Sequence, residues 1–206
     1  MTPQTIQDLE EQIAKLKEQL LLAEKDASTD PLTGIVNRRT LERELRTNIA
    51  DAQRNYFDLI IAEIDLDHFK LVNDTYGHEQ GDVVLKSFAR IVNHSLRDTD
   101  IFGRWGGEEF ILILPIPKTT PSEDIAIFFK RLQANISGIN KSPNPYQNAD
   151  KLTVSIGAVI AQSGNKTLSP EQILRQVDAA LYEAKKTRNT YIIQPYREDY
   201  LVSPVG

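Results

Sequence analysis

The chain has no cysteine, so neither a disulfide nor a thiolate metal site can form. It has no apolar run of about eighteen residues and no signal-peptide pattern, so this stretch is expected neither to span a membrane nor to enter a secretory route by itself, and to work in the cytoplasm. It also has no excess of positive charge: 24 Lys and Arg against 29 Asp and Glu give a net charge of −5, which argues against general nucleic-acid binding. What it does have is 206 residues, 40% of them hydrophobic, enough for a real core. One domain with an appendage is expected.

The appendage is residues 1–27. Ile6, Leu9, Ile13, Leu16, Leu20, Ala23 and Ala27 recur at alternating three- and four-residue steps with polar residues between them. This matches the a and d positions of a coiled coil, and the strict seven-residue period favours that reading over a single amphipathic helix docked on its own domain. Three heptads are marginal alone. A short linker at Ser28–Val36 leads to a helix capped by Asn37 and running to about Gln53. The elements that follow are a strand Phe57–Asp65, a short helix ending near Gly77, a helix from Asp82 to about Leu96, and a hairpin over 100–114. Thr120-Pro121-Ser122-Glu123 reads as a capping box opening a helix to about Ile136, and Ser169-Pro170-Glu171-Gln172 opens another to about Lys186. Residues 138–151 read as a loop, with strands at Leu152–Ala161 and Tyr191–Gln194. Paired strands with helices interspersed predict an α+β fold. The domain is placed at 28–195, and the tail 196–206 carries no readable signal.

Two clusters point to chemistry. Gly106-Gly107-Glu108-Glu109 lies between the strand-like runs Asp100–Trp105 and Phe110–Leu114. Its glycines permit positive φ and close approach, and its acids offer the hard oxygen ligands that Mg²⁺ prefers. An ordinary exposed hairpin would have the same composition. Upstream, the apolar run Tyr56–Ile64 ends in Asp65-Leu66-Asp67. Side chains alternate along a strand, so Asp65 and Asp67 are expected on one side with the Leu66 carbonyl between them, facing Glu108. The other reading is a helix N-cap for Phe69–Tyr76. Mg²⁺ typically binds through one or two carboxylates plus substrate phosphates, so a sparse acidic set suffices.

Asp65-Leu66-Asp67-His68-Phe69-Lys70-Leu71-Val72-Asn73-Asp74-Thr75-Tyr76-Gly77-His78, then Gly81-Asp82, then Gly106-Gly107-Glu108-Glu109-Phe110 resemble the GGDEF domains of bacterial diguanylate cyclases, in the GGEEF variant. The resemblance extends to Asp30-Pro31-Leu32-Thr33-Gly34, to Val154-Ser155-Ile156-Gly157-Ala158 and to Asp178-Ala179-Ala180-Leu181-Tyr182-Glu183-Ala184-Lys185. It implies a palm-like nucleotide-cyclase fold with a central mixed or antiparallel β-sheet flanked by helices. It also implies that two GTP, one per protomer of a head-to-head homodimer, condense to cyclic di-GMP with loss of pyrophosphate. The negative chain would repel such a substrate unless metal ions and local cations reverse the field.

Carried over residue by residue, the resemblance makes Asp65, the Leu66 carbonyl and Glu108 ligands of two Mg²⁺ ions, with Mn²⁺ also suitable. Glu108 is in addition a candidate acceptor of the hydroxyl proton, a role that a water can also fill. Lys70 stabilises developing phosphate charge. Asn73 and Asp82 match guanine-binding positions, since a carboxylate accepts from guanine N1–H and its amine whereas adenine has no such donor pair. Asp82 also reads as an N-cap. His78 matches a nucleotide contact. Lys185 and Arg188 match the phosphate-contacting cations, but this chain has only Lys186-Thr187 between them where the family has two residues and a glycine. Three steps along a helix would keep both on one face. Arg97 and Asp100 match an inhibitory Arg-x-x-Asp site for cyclic di-GMP. An upstream sensor domain acting through the coiled coil would fit this organisation. The alternative is a silent module that binds GTP or cyclic di-GMP without turning it over.

Overall fold

The structure, a computed structural model, describes residues 12–13, 15–17, 28–143, 151–165 and 168–200. Of the seven heptad positions only Ile13 and Leu16 fall among them; both are helical and exposed, at 51% and 63%, so neither is docked on the chain's own domain. The rest of the expected coiled coil, the middle of the 138–151 loop and the end of the tail lie outside the described residues.

The elements in order are β1 (Val36–Asn37), α1 (Arg38–Asn55), β2 (Asp58–Leu66), α2 (Phe69–Tyr76), α3 (His78–His94), β3 (Ile101–Gly106), β4 (Glu109–Ile116), α4 (Ser122–Ile136), β5 (Val154–Ala161), α5 (Pro170–Thr187) and β6 (Tyr191–Pro195). The strands form one sheet ordered β1-β3-β4-β2-β5-β6. Its middle is antiparallel, and the edge pairs β1/β3 and β5/β6 are parallel. This is the expected palm-like α+β sheet.

All nine residues of β2 are buried, because this central strand has helices on both faces. Ile60, Ala62 and Ile64 join the core under α3 and α4, where Phe88, Phe102 and Phe110 meet with ring centroids 4.6–6.1 Å apart. Leu59 and Ile61 join the opposite core under α1 and α5, with Leu41, Leu45 and Val177. One strand therefore fixes two helix layers, and its last residues emerge between them.

Local signals set most element ends. Asn37 accepts from the Thr40 amide and Ser169 from the Gln172 amide, as their cap positions require. Other boundaries are corrected. The stretch read as a linker is a closed turn: Asp30 accepts from Thr33, Thr29 bridges Val36, and β1 pairs with β3. Helix α3 starts at His78 rather than Asp82, directly after Gly77 at φ 85°, so Asp82 lies inside the helix and is not its N-cap. Pro121, not Thr120, is the N-cap of α4, and since its ring carries no acceptor no side chain caps that helix; the Thr120 amide donates instead to the Pro117 carbonyl. Tyr196 and Arg197 belong with the folded part: the Tyr196 hydroxyl donates to Gln172 at 2.6 Å and the Arg197 amide to Gln176 at 2.9 Å.

Candidate active site

Strand β2 delivers Asp65 and Leu66 to the sheet end, where β4 begins. Asp65 sits opposite Glu109, and the Leu66 amide donates to the Glu108 carbonyl at 3.4 Å. The expected set of Asp65, Leu66 and Glu108 is therefore adjacent. Only one of the two glycines takes positive φ, Gly107 at 51°; Gly106 ends β3 after a register shift at Trp105. Asp67 shares this face, as alternation requires: its amide extends the ladder to the Thr153 carbonyl, and Ser155, which pairs with Asp65 and so projects from the same side, bonds its carboxylate, but both Asp67 oxygens are taken by protein donors. Asp67 is 2% exposed, and its carboxylate accepts from Ser155 Oγ at 2.7 Å and from the Asn189 amide at 2.9 Å. It does not cap α2, whose N-cap is His68 at φ 58°.

Two further residues complete the local field: Lys185, expected as a phosphate contact, and Glu63, which was not anticipated. Lys185 Nζ lies 2.8 Å from Asp65 Oδ2. Burial raises the Asp65 carboxyl above its usual range, the Lys185 bond and charge pull it back, and Glu108 and Glu109 push it up again. Burial alone would lower the Lys185 ammonium, but the bond to Asp65 and the charges of Asp65, Glu109 and Glu63 raise it. Glu63, two residues before Asp65 on the same face, is 7% exposed and pushed up to about 7, first by burial and then by Glu109 and Asp178. A lone acid in the run Leu59–Ile64, in phase with Asp65, was its only sequence signal.

Because Glu63 titrates higher folded than unfolded, its contribution to stability is complete below about pH 4.5 and is lost as pH rises through about 7. Glu63→Gln is expected to abolish a decline on the order of 2–3 kcal/mol across that window. Urea unfolding of both proteins in chelator, at about pH 5 and about pH 8, measures it. The same slope in both would show that the carboxylate charge is compensated in the fold.

The Gly-Gly-Glu turn is clamped from within. Arg104 donates to the Gly107 carbonyl through Nε at 2.9 Å and Nη2 at 2.8 Å, while Nη1 lies 3.3 Å from both Asp30 oxygens. Burial would raise the Asp30 carboxyl, but two bonds from Thr33 and the Arg104 charge hold it below the usual range. The motif Asp30-Pro31-Leu32-Thr33-Gly34 thus anchors the turn that carries Glu108. Both partners are 16% exposed, so Arg104→Ala is expected to cost about 2 kcal/mol. Asp30→Asn should cost less, since the amide oxygen still accepts from Thr33; equal unfolding midpoints for Arg104→Ala and wild type would show that the clamp contributes nothing.

The nucleotide-matching residues divide into groups. Asn73, half-buried on α2, meets Gly81, the neighbour of Asp82 on α3: a Cβ at Gly81 would lie 2.0 Å from Asn73 Oδ1. The missing side chain therefore brings Asn73 beside the exposed Asp82 turn. Lys70 and His78 are exposed at the starts of α2 and α3. Arg188 corrects the helical-face argument: α5 ends at Thr187, and Arg188 follows at φ 57°, ψ 171°, off the helical path that would stack it over Lys185. Arg97 and Asp100 form a separate turn at the far end of the hairpin, the Arg97 amide donating to Asp100 Oδ2 at 2.9 Å. They line a cleft of about 470 Å³ with Leu114, Pro115, Phe128 and Arg131, the last from α4 and not anticipated from the sequence.

Comparison with known proteins places this geometry. The family model described as diguanylate cyclase, GGDEF domain, matches residues 27–190. The chain is 40% identical over 169 residues to a protein named probable diguanylate cyclase DgcT from Escherichia coli K12, covering 82% of this chain and 36% of that protein. It is 36% identical to diguanylate cyclase DgcP from Pseudomonas aeruginosa, covering 78% of this chain and 23% of that protein. It therefore spans about a third or less of these two relatives. The crystal structure of the coiled coil and GGDEF domain of DgcB from Caulobacter crescentus, in complex with c-di-GMP, superposes with a TM-score of 0.80 at 28% identity, covering 93% of this chain and 97% of that one. With the fold, the motifs and these relatives in agreement, the chain belongs to the GGDEF-domain diguanylate cyclase family.

Proposed function

We propose that this chain is a diguanylate cyclase condensing two GTP into cyclic di-GMP, one GTP per protomer of a two-fold homodimer. The adjacency of Asp65, Leu66 and Glu108 at the end of the central strand, with Lys185 on Asp65, carries the reading. In each half-reaction a 3′-oxygen bonds to the α-phosphorus of the other GTP, the bond to the β-phosphate bridge breaks, and pyrophosphate leaves. Such in-line transfer needs positioning and charge neutralisation more than covalent help. Asn73 and Asp82 hold guanine, His78 contacts the nucleotide, Lys70, Lys185 and Arg188 face the phosphates, and Glu108 or a water takes the hydroxyl proton.

The donor set fits divalent cations. Among the described residues no three His, Cys, Asp or Glu side chains form a metal-holding group. Two carboxylates and a carbonyl are, however, what Mg²⁺ uses when phosphates and waters complete its shell. Burial, and after it the charges of Glu108 and Glu109, disfavour the ionised Asp65, and a bound cation would offset both. Asp65, the Leu66 carbonyl and Glu108 would hold two Mg²⁺ or Mn²⁺ ions per half-site, supplying neutralisation of the triphosphate.

Arg97 and Asp100, with Arg131 across the cleft, would bind cyclic di-GMP as an inhibitor, the guanidinium groups meeting phosphate and the carboxylate the guanine edge. The N-terminal helix would pair protomers and pass the signal of an upstream sensor domain. The test is to incubate purified protein with GTP and Mg²⁺ over a range of protein concentrations and follow cyclic di-GMP by chromatography. Formation rising faster than linearly with protein supports the dimeric cyclase. Binding of GTP or cyclic di-GMP with no product at any concentration would make this chain a silent binding module.

A further inference from the structure

We infer that Asp67 is a positioning residue for Arg188, acting outside the metal site and holding the turn from which that cation reaches the triphosphate. The inference rests on the reading of Arg188 as a phosphate contact. Each Asp67 oxygen has a fixed partner: Ser155 Oγ, on the strand beside β2, at 2.7 Å, and the Asn189 backbone amide, just past α5, at 2.9 Å. The carboxylate is 2% exposed, so it serves as an internal cross-link between the sheet and the end of α5.

The cross-link acts on a strained segment. Arg188 at φ 57° and Asn189 at φ 46° are consecutive non-glycine residues in a region side chains rarely adopt. Such a conformation persists only where the surroundings impose it. Three backbone contacts do so here. The Arg188 amide donates to the Ala184 carbonyl, the Asn189 amide to Asp67, and the Thr190 carbonyl accepts from the Ile156 amide. Of these, only the Asp67 bond comes from a side chain. The Arg188 guanidinium has no hydrogen bond or ion pair to any described residue, so only the backbone beneath it fixes where the side chain starts. The chain thus reaches its phosphate-facing arginine without a glycine at the helix end, and Asp67 enforces the turn.

The experiment measures the affinity of the full chain for 3′-deoxy-GTP, which lacks the nucleophile, in Mg²⁺ by calorimetry. Arg188→Ala and Asp67→Ala are each expected to weaken binding roughly tenfold, and the double variant no more than Arg188→Ala alone. Asp67→Asn is expected to stay within about twofold of wild type, because its Oδ1 can accept from the Asn189 amide while its Nδ2 donates to Ser155 Oγ. Mn²⁺ affinity without nucleotide should be the same for wild type, Asp67→Asn and Asp67→Ala. Should Asp67→Ala not fold, Asp67→Ser, too short to hold both partners, takes its place. Penalties that multiply in the double variant, or an Asp67→Asn protein as weak as Asp67→Ala or deficient in Mn²⁺ binding, would overturn the inference. So would Arg188→Ala weakening binding while Asp67→Ala does not. Unchanged binding by Arg188→Ala would overturn the phosphate role of Arg188, and this inference with it.

Discussion

Gly157→Ala is expected to destabilise the domain by about 3 kcal/mol, the upper range for overpacking, and to lower the thermal midpoint by about 10 °C. A Cβ there would lie 2.1 Å from the Leu181 amide nitrogen, 2.5 Å from the Val177 carbonyl oxygen and 2.7 Å from Leu181 Cα. All three atoms are backbone, so no rotamer change relieves the clash and α5 must move as a body. That helix buries Ile173, Val177, Ala180, Leu181 and Ala184 and carries Lys185 to Asp65. Activity should fall with stability. A thermal midpoint within about a degree of wild type would mean that α5 slides over the sheet without penalty, against the close packing of protein interiors.

Asp65→Asn should reduce cyclic di-GMP formation on the order of 10³-fold, with the circular dichroism spectrum unchanged, and Glu108→Gln should act alike. Asparagine keeps the shape of Asp65 while removing the charge that holds Lys185 at 2.8 Å and that would hold a cation. Loss of that ion pair is offset in part by removing a carboxyl that burial already disfavours. Stability should therefore change little while catalysis collapses, the reverse of what Gly157→Ala separates. An Asp65→Asn protein retaining a tenth of wild-type product formation would remove Asp65 from the reaction centre.

The contrast between these two substitutions also divides what was legible beforehand. Asp65, Leu66 and Glu108 could be placed together from the sequence because the first two close a buried strand and the third sits in the turn of a hairpin, both of strong local character. A hairpin and a buried apolar run carry their own boundary signals. Asn37 and Ser169 announced their helices through caps that act within three residues. The face of Asp67 also followed from alternation, but the commitment of its two oxygens did not, because the donors Ser155 and Asn189 lie far along the chain. The helical argument for Arg188 failed, since α5 ends at the residue before it.

The remaining features depend on partners distant in the chain. Asp30 reaches Arg104 and through it Gly107, Glu63 feels Glu109 and Asp178, and Arg131 joins Arg97 only once α4 lies against the hairpin. By itself the sequence determined the α+β class, the family motifs and the acidic end of the central strand, because those follow from short-range periodicity, capping and residue chemistry. Only the tertiary structure decided that a turn read as a linker clamps the Gly-Gly-Glu hairpin, that Asp67 bonds Ser155 and Asn189, and that Gly157 must lack a side chain. Each of these depends on which backbones the sheet brings within a few ångströms, and that pairing is a property of the whole chain.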